Sequence, residues 1–296
     1  MIDLHMHTHY SDGTDTVEEL LLKAEKEKIE IISITDHDSV DAYKDLENKN
    51  IRSLYSGKII TGTELKTHYN GIPIEVLGYG INYKKLKIHK MDIYNIQVKA
   101  LEEYKKIGKS LGMIFDKNIT VSKNDTSRKF GSFVFASEIL KYEENKKILF
   151  SIGAECDPST FYRVHTSNKN SIFYYDESEN YISLEETINR IHEAGGIAIL
   201  AHPLLYPYEN ENKLEEIERI LIKYDLDGLE CEYPLFDEGE RNSLKELAKK
   251  YNKYMSGGSD YHAKNKPNTK MGTGIQGNIN ISQNLIDDWI EKVKII

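Results

Sequence analysis

Short strand-like and helix-like segments alternate over the first third of this 296-residue chain, stop, and resume near residue 182. Such alternation predicts an α/β domain with a parallel sheet, because a parallel partner strand needs a crossover and the crossover is usually a helix. Residues 2–7 read as a strand. Thr16-Val17-Glu18-Glu19 carries a capping box opening a helix to about Lys28, and strands follow at 30–35, 58–64 and 74–79, with a short helix from Ser39 to about Glu47. After the break, a second Ser183–Glu186 capping box opens a helix ending at Gly195-Gly196. Strands at 197–201, 228–232 and 254–257 then alternate with helices near 213–224, 238–251 and 282–294. About seven β/α units predict a barrel closed by the two ends of the chain.

Between these halves the strands disappear. Met91, Tyr94, Val98, Leu101, Tyr104, Gly108 and Leu111 follow helical spacing up to a stop at Gly112, and shorter helices are expected near 131–143 and 144–152. Ser122–Phe130 is polar and reads as a loop. The predicted organisation is a barrel from 1–85 plus 182–296, with 86–181 as a mainly helical insertion packed over one face.

Charge narrows the partners. The net charge of −9 disfavours the wide cationic surface that duplex nucleic acid needs, but leaves room for a small, locally neutralised substrate. Of 39 basic residues only six are arginines, Arg52, Arg128, Arg163, Arg190, Arg219 and Arg241, a short set of candidates for bidentate phosphate contact. No run approaches the ~18 apolar residues of a membrane span. Met1–His5 lacks the pattern of an export signal, so the expected location is cytoplasmic. Cys156 and Cys231 are too few for a disulfide framework or a Cys-rich zinc site.

The chemistry concentrates where strands end. His5 and His7 alternate onto one side of the first strand, Asp12 follows, and later strands run into Asp36-His37-Asp38, Glu64, His202 and Asp260-Tyr261-His262. In a barrel these ends meet at one face. Ionisable groups gathered there cost several kcal/mol per unpaired charge unless something positive compensates, and imidazole with carboxylate suits zinc, manganese or iron. The donors outnumber the three or four that one ion takes, so two or three divalent ions are expected.

The motifs His5-x-His7-Thr8-x-x-Ser11-Asp12-Gly13, Thr35-Asp36-His37-Asp38, Gly62-Thr63-Glu64, Ala201-His202-Pro203 and Gly258-Ser259-Asp260-Tyr261-His262 resemble, in order and over nearly the whole chain, the PHP (polymerase and histidinol phosphatase) family. The resemblance implies a distorted TIM-like barrel of seven β/α units with a trinuclear metal site acting on phosphate esters. The helical insertion is most similar to that of the branch that dephosphorylates nucleoside 3′,5′-bisphosphates and trims short RNA. Carried over position by position, one ion would be held by His5, His7, Asp260 and the bridging Glu64, and a second by Asp12, His37 and His262. A third would sit between Glu64 and His202. The histidine expected to complete it is replaced by Glu75, a carboxylate that suits manganese or iron. His68 would need a bend to reach. Asp36 and Asp38 are expected to support the site by hydrogen bonding or loop capping.

The function so implied is hydrolysis of a small phosphate monoester, such as a nucleoside 3′,5′-bisphosphate, by a metal-bound hydroxide. Glu64 and Asp12 are the candidate catalytic residues and Arg128, in the polar loop of the insertion, the candidate substrate contact. Competing readings are a histidinol-phosphate phosphatase, a 5′-3′ exonuclease on short single strands, and a metal-binding module without catalysis. The oligomeric state is left open.

Overall fold

The computed structural model describes residues 1–122, 131–155, 157–158 and 160–296. The first half contains β1 (Ile2–Asp3), α1 (Val17–Lys26), β2 (Ile31–Ile34), α2 (Ala42–Asp45), α3 (Lys49–Arg52), β3 (Lys58–Tyr69) and β4 (Ile72–Tyr79). The helical stretch follows as α4 (Ile93–Ser110), α5 (Gly131–Ile139) and α6 (Glu143–Ser151). The alternation then resumes with α7 (Leu184–Glu193), β5 (Ile197–Leu200), α8 (Lys213–Lys223), β6 (Gly228–Glu232), α9 (Glu238–Lys250) and β7 (Tyr254–Gly257), and a small hairpin of β8 (Thr269–Lys270) and β9 (Gly274–Ile275) follows.

Strands β1 to β7 form one curled sheet in sequential order. It is parallel from β1 to β3 and from β5 to β7, but β4 runs antiparallel to both neighbours. The parallel expectation is therefore corrected in the middle of the sheet. The reason is a tight hairpin at Asn70-Gly71, whose φ values of 48° and 77° give the twist that two-residue hairpins favour. As a result β3 continues to Tyr69, and Glu64 lies inside a long strand instead of at its end.

The barrel closed by the chain ends is corrected as well. Among the described residues no ladder joins β7 to β1, and one bridge, Met6 with Tyr261, and a few backbone hydrogen bonds link the ends of these segments. Asp260, at φ 56°, turns the chain out of the extended conformation three residues after β7 and interrupts the pairing, which resumes only at the single Met6–Tyr261 bridge. His5 and His7 consequently lie on an extended segment past β1, with His7 N donating to Tyr261 O and Asp260 N to His5 O.

The inside of the curl is filled by Leu4, Ile31, Ile60, Leu77, Tyr79, Ile199 and Trp289. Trp289 stacks on Tyr79 at 5.5 Å and donates to Met255 O. It lies between two short 3-10 turns, Gln283–Ile286 and Ile290–Lys292, that stand where one C-terminal helix was expected. Helix α1 has its Thr16–Glu19 capping box and buries Val17, Leu20, Leu21 and Ala24. The stretch around α4 to α6 has its own hydrophobic cluster, from Ala100 to Phe173, in which Phe135 meets Tyr104, Phe115, Phe161 and Phe173. No described helix is long and apolar enough to cross a membrane.

Candidate metal centre

His5 and His7 are two residues apart on an extended segment, so both rings turn to the same side of the sheet. There they meet Glu64 from β3 and Asp260 from the turn after β7. His5 Nε2 is 3.1 Å from His7 Nε2 and 3.2 Å from Glu64 Oε2, and His7 Nε2 is 3.3 Å from the same oxygen. Asp260 Oδ1 lies 3.4 Å from His7 Nε2 and 3.7 Å from His5 Nε2. Donors about 2.1 Å from a shared tetrahedral ion stand about 3.4 Å apart, so these edges have the size of a coordination shell.

A second group adjoins it. Asp12 Oδ1 is 3.1 Å from His262 Nε2 and 3.5 Å from His7 Nδ1, while Asp12 Oδ2 is 3.5 Å from His37 Nε2. The third group surrounds Glu75. His202 Nε2 lies 2.9 Å from Glu64 Oε1 and 3.3 Å from Glu75 Oε2, and His37 Nδ1 lies 3.1 Å from Glu64 Oε2 and 3.4 Å from Glu75 Oε1. His37 Nδ1 is buried yet in hydrogen-bond geometry with nothing described, which suits a lone pair awaiting a cation. All nine residues read from the sequence as ligands are thus brought together, with Glu64 common to the first and third groups. His68 pairs with Pro73 across the hairpin and joins none of the groups.

Burial would raise Glu64, but His5 and His37 beside it and the hydrogen bond to His202 hold its carboxyl well below the ordinary range. Burial is likewise outweighed at Asp12 by His37 and His262, and at Asp260 by Lys266 and His262, so both stay ionised. Glu75 is raised by burial and by the charge of Glu64. Burial also opposes charge on His5, yet Glu230, Glu64 and Asp260 lift it well above its usual value, and His7 is raised against burial by Asp260, Asp12 and Glu64. Burial lowers His37 and His262. Such a crowd of buried carboxylates and imidazoles is stable only with positive charge among them, either protons on His5 and His7 or divalent cations.

The residues behind the donors fix their aim. Asp36 accepts from Thr8 N, Thr8 Oγ1 and Ser11 Oγ at 2.7, 2.7 and 2.6 Å, pinning the loop from His7 to Asp12. Asp38 accepts from Lys66 N. Asp3 ties Ser259 and Gly272 to β1. Tyr233 and Lys266 both donate to Asp260 Oδ2, leaving Oδ1 to the donor cluster. Glu230, on β6, was not singled out in the sequence. It is fully buried, takes the Nδ1–H of His5 at 2.8 Å, and accepts from His202 N at 2.7 Å. The second bond holds His202 at φ 25°, a left-handed conformation costing about 1–3 kcal/mol for a residue with a side chain.

A cavity of about 430 Å³ opens over the cluster. Asp12, Glu64 and Glu75 form its floor, and Tyr162, Arg163 and Tyr181 reach it from the helical stretch. Of the six arginines Arg163 lines this cavity, together with Lys66 and Lys266. Arg128 lies outside the described residues, as does Cys156.

Known proteins resemble the chain over most of its length. A 5′-3′ exoribonuclease of Haemophilus influenzae is 26% identical over 264 residues, spanning 88% of this chain and 89% of the relative. A phosphoribosyl 1,2-cyclic phosphate 1,2-diphosphodiesterase of Eggerthella lenta is 23% identical, spanning 88% and 94%. A 3′,5′-nucleoside bisphosphate phosphatase of Chromobacterium violaceum is also 23% identical, spanning 88% and 87%. Among solved structures, a chain of Bifidobacterium adolescentis assigned to the metal-dependent phosphoesterases superposes with a TM-score of 0.63 at 21% identity, covering 99% of this chain and 96% of the other. A Chromobacterium violaceum amidohydrolase gives 0.60 at 22% identity, covering 96% and 95%. The PHP domain profile matches residues 3–259, and the chain belongs to the PHP domain family.

Proposed function

We propose that the chain is a metal-dependent phosphoesterase that hydrolyses a small phosphate monoester, most simply a nucleotide such as a nucleoside 3′,5′-bisphosphate. The observation that carries this reading is the convergence of His5 Nε2, His7 Nε2, Glu64 Oε2 and Asp260 Oδ1 at coordination-shell spacing. The first ion would be held by these four residues, the second by Asp12, His37 and His262, and the third by Glu64, Glu75 and His202. Bound divalent cations would supply a water of lowered pKa and neutralise phosphate oxygens. Oxygen-rich donors around Glu75 favour manganese or iron there, while the imidazole-rich second group also accommodates zinc.

The protein's own residues supply position and charge balance. Glu64 and Asp12, both ionised, are the catalytic residues of this reading, because each reaches more than one histidine and so fixes the spacing of the donor groups. Residues 86–181 form the insertion, whose Tyr162, Arg163 and Tyr181 roof the cavity and limit what can enter. Names borne by relatives support phosphate-ester hydrolysis in general and both a phosphatase and an exoribonuclease in particular.

Phosphate release by the manganese-reconstituted protein tests the proposal across nucleoside 3′,5′-bisphosphates, mononucleotides, histidinol phosphate and short RNA. Activity concentrated on the bisphosphates supports it in full. Release of mononucleotides from RNA ends, with the bisphosphates untouched, replaces the phosphatase by an exonuclease. No turnover of any substrate by protein with its metals bound overturns it.

A further inference from the structure

The cavity over the donor cluster continues past its own wall. Arg163, Asp260 and Lys266 line it and also line a second cleft of about 390 Å³. Beyond these three, the cleft is walled by Tyr233 and Leu235 after β6 and by Asn268, Thr269 and Ile275 around the β8–β9 hairpin.

The chemistry differs on the two sides of the junction. Lys266 is occupied, its Nζ 2.5 Å from Asp260 Oδ2. Arg163 is exposed and makes no ion pair with any described residue, although Asp260 and Glu75 both act on its charge. It rides on a single π-type turn, Tyr162–Thr166, a backbone irregularity that recurs at functional sites. A guanidinium with free donors beside a phosphate-sized cavity is suited to bidentate contact with phosphate oxygens. The second cleft is lined by no further charged residue. An aromatic ring, two aliphatic side chains, an amide and a hydroxyl make a wall for an uncharged ring with a few polar edges, and the volume lies in the range of small-molecule sites.

We propose that Arg163 grips the oxygens of the reacting phosphate and that the adjoining cleft seats the uncharged ring carried by the alcohol part of the ester. The chain then selects esters of nucleoside-sized alcohols over small ones. This rests on the phosphoesterase reading and adds to it where the leaving group lies.

Two exposed residues give the test without touching the core, through Arg163→Ala and Leu235→Trp. Calorimetry of the metal-loaded protein with adenosine, which needs no turnover, is expected to show saturable binding weakened at least tenfold by Leu235→Trp. With inorganic phosphate as the probe, Arg163→Ala is expected to weaken binding about tenfold, with partial recovery in Arg163→Lys. In turnover, Leu235→Trp should shrink the kcat/KM preference for adenosine 3′,5′-bisphosphate over methyl phosphate at least tenfold, and Arg163→Ala should raise KM far more than it lowers kcat. Absence of adenosine binding to the wild-type protein, or equal binding by Leu235→Trp, overturns the cleft. Unchanged phosphate binding by Arg163→Ala removes Arg163. Neither binding result depends on hydrolysis, so failure of the cleft and failure of the phosphoesterase reading give different patterns.

Discussion

Glu230 accepts the Nδ1–H of His5 at 2.8 Å, and this one bond decides which face of the imidazole looks into the cluster. With Nδ1 protonated toward a buried carboxylate, Nε2 keeps its lone pair for a cation, and the ring cannot rotate away without stranding the charge. The other oxygen of Glu230 restrains His202 through its backbone. Glu230→Gln can satisfy only one of the two donors through its carbonyl oxygen. The variant should fold, with metal affinity lowered about 10–100-fold. Calorimetric titration with manganese measures it, and wild-type affinity would make Glu230 a packing residue only.

Metal binding should release protons. Neighbouring carboxylates raise His5 and His7 above the ordinary imidazole range, so the metal-free site holds protons there more tightly than a free imidazole does and an ion must displace them. Affinity for that group therefore falls as pH falls, by up to about tenfold per pH unit for each proton displaced. His37 and His262 are lowered and already neutral, so the Asp12 group should keep its ion to lower pH. Calorimetry in two buffers of different ionisation enthalpy counts the protons. Equal apparent enthalpies at pH 7 would contradict the assignment.

Glu75 should be worth one metal ion. Its carboxylate faces His202 and His37, and no other described carboxylate besides Glu64 joins that group. Glu75→Ala should lower the bound metal by about one equivalent and leave the other groups loaded, as read by elemental analysis after gel filtration. Unchanged stoichiometry would mean that the third group holds nothing.

The hairpin that redirects β4 depends on Gly71, whose φ of 77° suits a residue without a side chain. A Cβ there would also come within 2.9 Å of the Tyr174 hydroxyl. Gly71→Val should destabilise the fold by about 1–3 kcal/mol, measured by denaturant unfolding. A loss below about 0.5 kcal/mol would show that the turn tolerates another geometry.

Much of the centre was legible because strand side chains alternate and strand ends gather. His5, His7, His37, His202 and Asp260 all follow from that geometry. Glu230 escaped for a physical reason. In Gly228–Glu232 the alternation puts Glu230 and Glu232 on one face, but a register shift between them separates their fates. Glu230 is fully buried against His5, whereas Glu232 pairs near the surface with Arg241 and Lys245. A bulge leaves no mark in composition. The antiparallel β4 did have a signal in Asn70-Gly71, which was overridden by the expectation that β/α alternation means parallel strands. Arg163 had none, since its place over the cluster depends on how the helical stretch packs, and no local pattern encodes that.

The most direct measurement compares phosphate release by wild-type protein and Glu64→Gln, each depleted of metal and then reconstituted with manganese, with unfolding followed in parallel. Glu64 serves two donor groups at once, so its loss should abolish release by at least about 10³-fold while the variant still unfolds cooperatively. The wild type should be silent when depleted and recover on reconstitution. Full activity in the folded variant, or in the depleted wild type, would contradict the central claim that these buried donors act on phosphate esters through bound metal.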